Sequence, residues 1–321
     1  MGASITTLLT RSPGYIGSLL LWAFTPIALA APDCILVRVG GFGPGLEDYE
    51  AAVFQLAADA TAATYGPCTI TVKTTEYSMA RVWKELNNGE KLQAGISTGY
   101  APKFNNIVGM DFPLLGGALG LRRSIVRESM RAEFEDIQEF GQIKSYRVGQ
   151  GVQWTDVETY KAMGFPVVDG FRLGHLYGML EQGRFDHIPL SILQADAIFN
   201  RISPDYPSLV LADKTYIYYP IKTWVYLNTL DPQLLERFTL GFEQIFKSGE
   251  AEALFNRMYG VKMAQLKTSG GHVFILKNPE YTNNDNARIA QDFLHRHQLQ
   301  NFAVFPNLDS STPVAASAVK K

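Results

Sequence analysis

The residues best placed to do chemistry lie between Ser145 and Ser191. Gly149-Gln150-Gly151 follows a short apolar strand, Tyr146–Val148, and precedes a helix expected from about Thr155 to Met163. Backbone N–H groups at the start of a helix point outward and favour an anion. Two glycines let a ligand approach the main chain closely. An ordinary strand-to-helix turn has the same pattern. A nucleotide fingerprint fails, because no third glycine follows at the required offset and no Walker-type lysine is present. The five histidines, His175, His187, His272, His295 and His297, contain no pair at i, i+4 on a helix. No metal site and no cofactor are therefore expected. No nucleophile elbow occurs.

The elements around this turn alternate. Strands are expected at Phe165–Val168 and Phe185–Ile188, with a helix from Leu173 to Gln182 between them. Such alternation implies a parallel sheet, and ligands of parallel sheets bind beyond the carboxyl ends of the strands. An earlier unit repeats the pattern. Its strands are Cys34–Val39, Thr69–Val72 and Leu92–Ile96, and its helices run from Leu46 to about Tyr65 and from Ser78 to Asn87. Between the units, Asp111–Val126 reads as an extended, Gly-rich crossover. Tyr216–Leu227, dense in aromatics, reads as the extended return. Helices Pro232–Ser248, Ala251–Tyr259 and Asp285–His297 follow. The fold class is α/β, with two lobes joined by two extended crossovers that form a hinge. The expected divisions are 1–30, a signal peptide; 31–115, the first part of lobe 1; 116–212, lobe 2; 213–304, the return to lobe 1 with C-terminal helices; and 305–321, a disordered tail.

Composition narrows the class. Of 321 residues, 46% are hydrophobic and 19% charged, which is globular. A formal net charge of −2 argues against a nucleic-acid surface and supplies no anchor for an anionic membrane. In residues 1–30 Arg11 is the only charge, and an apolar run ends in Ala28-Leu29-Ala30. This reads as a secretory signal peptide; a transmembrane anchor is the other reading, against which Pro26 and the short run count. The two cysteines, Cys34 and Cys68, each immediately precede an apolar strand, Ile35–Val39 and Thr69–Val72. If those strands are parallel neighbours, both thiols lie at one end of the sheet and suit a bridge. Two buried free thiols are the alternative.

The run Pro113-Leu114-Leu115-Gly116-Gly117-Ala118-Leu119-Gly120-Leu121-Arg122 resembles a Pro-x-x-x-Gly-x-x-Gly-(Tyr)-Arg segment of a divergent group of exported solute-binding proteins. Gly149-Gln150-Gly151-x-x-Trp154-x-Asp156, Leu180-x-x-Gly183-Arg184-Phe185-Asp186 and Lys277-Asn278-Pro279 are similar to later segments of that group. The chain from about Ile35 to His297 thus resembles the type II periplasmic solute-binding proteins, and within them extracellular solute-binding family 3. The resemblance implies a periplasmic-binding-protein-like II fold and a monomer in the periplasm. It also implies a cleft that closes on a small polar ligand, carboxylate-bearing or amino-acid-like. The ligand is passed to an ABC transporter permease or reported to a membrane sensor.

By the same resemblance, Arg122 holds the ligand carboxylate, with Arg123 as the alternative. Gly151 and Gln153 assist at the helix start. Phe42, Glu76, Tyr77, Ser97 and Thr98 line lobe 1, and Asp186 meets a ligand ammonium. The chain departs from the family at Pro189-Leu190 and Gln194, and at Thr98-Gly99-Tyr100-Ala101-Pro102-Lys103, where an arginine often follows the threonine. Two other readings share the fold: a dehydratase-like enzyme working through Glu76 or Asp186, and an envelope scaffold with a decayed cleft. For the binder, Arg122→Ala is expected to abolish ligand-induced stabilisation and leave the fold intact.

Overall fold

Apolar runs bounded by Gly, Pro and Asn become the strands and helices of two sheets in a computed structural model. It describes residues 34–39, 45–73, 77, 79–98, 104–152, 154–299 and 302–306. β1 (Cys34–Val39), α1 (Glu47–Ala60), α2 (Ala62–Tyr65), β2 (Cys68–Lys73), α3 (Met79–Asn88), β3 (Ala94–Ser97) and β4 (Ile107–Asp111) come first. A 3-10 segment, Leu114–Gly120, leads into β5 (Leu121–Arg127), α4 (Glu128–Glu135), α5 (Phe140–Ser145) and β6 (Val148–Gly151). Next are α6 (Val157–Ala162), β7 (Val167–Phe171), α7 (Leu173–Glu181), β8 (His187–Ser191), α8 (Ile192–Ile202) and β9 (Leu209–Tyr218). The chain continues through β10 (Trp224–Asn228), α9 (Pro232–Ser248), α10 (Glu250–Ser269), β11 (Gly271–Ile275), α11 (Asn283–Arg296) and β12 (Phe302–Pro306).

The first sheet has the order β2-β1-β3-β10-β4 and the second β12-β11-β9-β5-β8-β6-β7. β1 is parallel to both β2 and β3, while β10 runs antiparallel to β3 and β4. Cys34 lies directly opposite Cys68 in the β1–β2 register, and the two form a disulfide. Closing a loop of that length contributes about 3–4 kcal/mol in the chain-entropy account. In the second sheet β6 is parallel to β7 and β8, and β5 is antiparallel to β8 and β9.

Helices α1 and α9 cover the first sheet. They approach so closely at Gly241 that a Cβ there would sit 2.2 Å from the Ala57 carbonyl oxygen. Phe54 and Phe242 meet edge to face beside that point, with ring centroids 5.1 Å apart. The ends of α9 are written in the sequence. The Asp231 side chain accepts from Leu234 N at its start, Pro232 opens the first turn, and Gly249 (φ 83°) closes it.

Four sequence expectations change. The crossover from β4 to β5 is not extended throughout. Residues 114–120 coil, with Leu115, Gly116 and Gly117 at φ of 61°, 54° and 82°, and only glycine enters that region at little cost. The return also divides: Tyr216–Tyr218 end β9 in the second sheet, and Trp224 begins β10 in the first. Residues 213–304 do not all go back to lobe 1, because β11 pairs with β9 and β12 pairs with β11. Residues 305 and 306, expected in the tail, belong to β12. Phe305 stacks on Phe274 at 4.9 Å, which holds the strand end. The expected signal peptide and residues 307–321 lie outside the described residues. Among the described residues no helix is long and apolar enough to cross a membrane.

One apolar cluster joins the halves. It runs from Leu36, Val53 and Phe54 through Leu114, Leu115 and Leu121 to Tyr218 and Val273. The β4–β5 and β9–β10 crossings both connect the carboxyl edge of the first sheet, at Ser97 and Asp111, to that of the second, at Ser191 and Leu121. Those two edges are where a ligand of this architecture would lie.

Candidate functional site

At the first edge β3 ends at Ser97, which is paired opposite Trp224 and nearly buried. Thr98 follows, and its Oγ1 lies 2.6 Å from Thr155 Oγ1 of the second lobe. That hydrogen bond ties the loop after β3 to the loop before α6. Tyr77 is half-buried, with the Arg81 guanidinium 4.0 Å from its ring centroid, and packs with Val82 and Leu86. Phe42, Glu76 and Gln153 lie outside the described residues.

On the second edge, strand alternation separates the two adjacent arginines. Arg123 turns to one side, donating to Asp196 Oδ1 at 2.7 Å, to the Ala212 carbonyl at 2.9 Å, and to Asp213. Arg122 turns to the other and is 9% exposed. Its Nη2 lies 3.5 Å from Asp156 Oδ2, and its guanidinium carbon 5.1 Å from the Tyr219 ring centroid. The Tyr219 hydroxyl donates to the same Asp156 oxygen at 2.7 Å. Tyr160 meets Tyr219 edge to face at 5.9 Å. Burial works against the Arg122 charge. Tyr219, Asp156 and Tyr160 more than offset it, so the arginine pKa rises and the side chain stays cationic. Burial raises both tyrosines well above the ordinary value, so their hydroxyls stay neutral.

Three side chains around this pair carry unmatched polar atoms. Arg122 Nε, the Tyr160 hydroxyl and both amide atoms of Gln150 are buried without a hydrogen-bond partner. Gln150 is two residues beyond Val148, which packs in one cluster with Tyr160, Ile217 and Tyr219. Strand alternation therefore points it to the same face. An unmatched buried donor or acceptor costs about 1–3 kcal/mol, so these atoms are the least satisfied polar groups of this face.

The glycines of the Gly149-Gln150-Gly151 turn have a different purpose from the one expected. They belong to β6, paired with Val168 and Phe171 of β7, and α6 begins only at Val157. A Cβ on Gly149 would meet the Phe185 ring at 2.3 Å, and one on Gly151 the Trp154 indole at 2.4 Å. They are small so that two aromatic rings can lie across the strand.

Asp186 is not brought to the cleft. It precedes the amino end of β8, and the ligand edge is the carboxyl end, five residues and roughly 16 Å along the strand. There it receives Arg147 N and Nε at 2.9 and 3.0 Å, Arg147 Nη2 at 2.9 Å, and Arg127 Nη2 at 3.2 Å. Burial alone would raise its pKa, but these donors prevail and hold it below the usual carboxylate value. Asp186→Asn is expected to cost about 2 kcal/mol at pH 7. A depressed folded pKa gives stability that is present above the unfolded value and lost as pH falls through the folded one. Urea unfolding of the variant and parent should thus converge as pH falls through the depressed folded pKa of Asp186. A gap that persists there would show that charge is not the cause.

The sequence gives no site role to the side chains of Thr155, Tyr219, Tyr160 and Gln150. Thr155-Asp156 before an apolar helix is a turn signal, and Tyr219 precedes Pro220 at the end of an aromatic run, but neither pattern says what the side chain meets.

No protein-family model matches the chain, and no curated protein sequence matches it. Solved structures with a similar course do exist. An ancestral arginine-binding protein bound to arginine is 14% identical, with 70% of this chain and 98% of that one covered at a TM-score of 0.46. The substrate-binding protein of an amino acid ABC transporter is 16% identical over 70% and 99%, at 0.46. A Streptococcus pneumoniae amino acid ABC transporter substrate-binding protein bound to L-arginine is 12% identical over 70% and 94%, at 0.45. Likeness at this level says nothing of the ligand or partner of this chain. Its two-lobed α/β character rests on the two sheets and their crossings.

Proposed function

We propose that this chain is an exported solute-binding protein that closes its lobes on a small polar ligand, amino-acid-like or otherwise carboxylate-bearing. The ligand is handed to a membrane transporter of the ABC type or reported to a sensor, and the protein acts as a monomer without catalysis. The observation that carries the reading is the Thr98–Thr155 hydrogen bond between the two carboxyl edges. A ligand between those edges exchanges this single bond for several of its own, and its preference for the closed arrangement drives closure. Ser97 and Thr98 offer hydroxyls from the first edge, and the Gly151 main chain lies on the second. Arg122 contributes Nε, a buried cationic donor without a partner, suited to a carboxylate oxygen. The Cys34–Cys68 disulfide supports export, since such bonds persist in oxidising compartments.

Thermal-shift titration of the full chain against the twenty amino acids and small dicarboxylates tests this. A true ligand at a hundredfold excess over its dissociation constant gives about 2.7 kcal/mol of stabilisation. Thr155→Val should weaken that ligand about tenfold and spare the fold. A flat panel, or a ligand indifferent to Thr155, sinks the proposal.

A further inference from the structure

A groove of about 320 Å³ runs along α10, and none of its lining residues belongs to the cleft edges. That volume falls in the range of small-molecule sites, about 300–1,000 Å³. One wall is apolar. Phe255 and Met263 of α10 are buried in the core cluster and Phe246 of α9 packs on it, yet all three also face the groove.

The facing wall is the coiled crossover at Leu115 and Gly116, held in an unusual backbone conformation. Leu115, a non-glycine residue, has φ of 61°, which is costly for a branched side chain. His297 fixes this segment, with Nε2 3.1 Å from the Gly116 carbonyl oxygen, and the Leu115 N–H points to the Tyr49 hydroxyl at 3.4 Å.

The charges are uneven. Lys267 and Arg296 line the groove, and Glu252 in the first turn of α10 is its one acid. Arg296 makes no ion pair among the described residues. Burial lowers the pKa of His297, which leaves that ring neutral. Two cationic side chains thus line the groove against one carboxylate.

Gly260 supplies the second, independent sign. Groove-lining residues on α10 recur at 252, 256, 260, 263 and 267, one face of a helix, and the middle of that face is glycine. Glycine weakens a helix interior. Nothing in the chain requires it here, because a Cβ on Gly260 would meet no atom within 4 Å. Open space therefore lies over Gly260 in the middle of the groove-lining face.

We propose that this groove is a second ligand site, for a small organic anion carrying an aromatic ring. The ring lies against Phe246, Phe255 and Met263 over Gly260, and the anionic group turns to Arg296 and Lys267.

The probe is 8-anilinonaphthalene-1-sulfonate, titrated by fluorescence into the folded full chain. The expected result is saturation at one equivalent. Gly260→Leu fills the groove, and on an open helical face it should hold or raise the melting temperature. It is expected to weaken the probe at least tenfold. Arg296→Gln, on an exposed position, should weaken it about tenfold and flatten its salt dependence, and it keeps the test decisive if the leucine variant folds poorly. Non-saturating binding overturns the proposal, as does an affinity that neither variant changes.

Discussion

Arg122→Ala is expected to destabilise the protein by about 3–5 kcal/mol at neutral pH, with or without ligand. The reason is Asp156. Its side chain is 6% exposed, and its close charged neighbour is the Arg122 guanidinium. Removing the arginine leaves a buried carboxylate with one neutral donor, the Tyr219 hydroxyl. This differs from the expectation drawn from sequence, in which Arg122 stands open to a ligand and its loss spares the fold. The pair can be separated from the ligand role by a cycle. Arg122→Met combined with Asp156→Asn removes both charges and keeps the volume, so it should recover most of the single variant's loss. Ligand binding should not recover with it, because the donor Nε is gone. Urea unfolding and calorimetry on the parent, both single variants and the double variant give the answer. A single-variant loss below about 1 kcal/mol, the size of an exposed ion pair, would mean that the pair is solvated.

The course of the chain was legible where local chemistry and tertiary structure agree. Asp231-Pro232 and Gly249 bracket α9 as written. The facing cysteines follow from two apolar strands that start with Cys and are parallel neighbours. The helix expected at Ala251–Tyr259 does not stop there: Gly260 has ordinary helical backbone and α10 continues to Ser269. β4 carries little strand signal in the sequence, because Gly109 interrupts a short apolar run. That glycine exists to admit the Tyr226 ring, which would lie 2.7 Å from a Cβ. The site was legible only in outline. A carboxylate at a strand end does not announce which end, so Asp186 was expected at the ligand edge and sits at the other. Arg122 and Arg123 are adjacent in one strand and so face opposite ways, but only the packed fold decides that Arg122 meets Asp156 and Arg123 meets Asp196.

Below about pH 6.5 the protein is expected to lose stability at about 1.4 kcal/mol per pH unit through His187 alone. This ring is fully buried, with Nδ1 2.9 Å from Ser124 Oγ and the Phe134 ring beside it at 5.2 Å. Burial pushes its pKa down to about 3, against a smaller opposing pull from Asp186. In the unfolded chain the same imidazole takes up a proton near pH 6.5. Between those values the unfolded state holds one more proton than the folded state, so stability rises with pH and acid removes it. His297, lowered by burial in the same direction, adds to the slope until its own folded pKa is reached. Carboxylates enter mainly below about pH 5, so the window from pH 6.5 to 5 isolates the histidines. His187→Gln keeps a neutral polar group for Ser124 and removes the titration. Urea midpoints measured across that window should fall less steeply for the variant, by close to one proton. Parallel slopes for parent and variant would mean that His187 gains its proton without unfolding, through water reaching a ring the fold holds at 0% exposure.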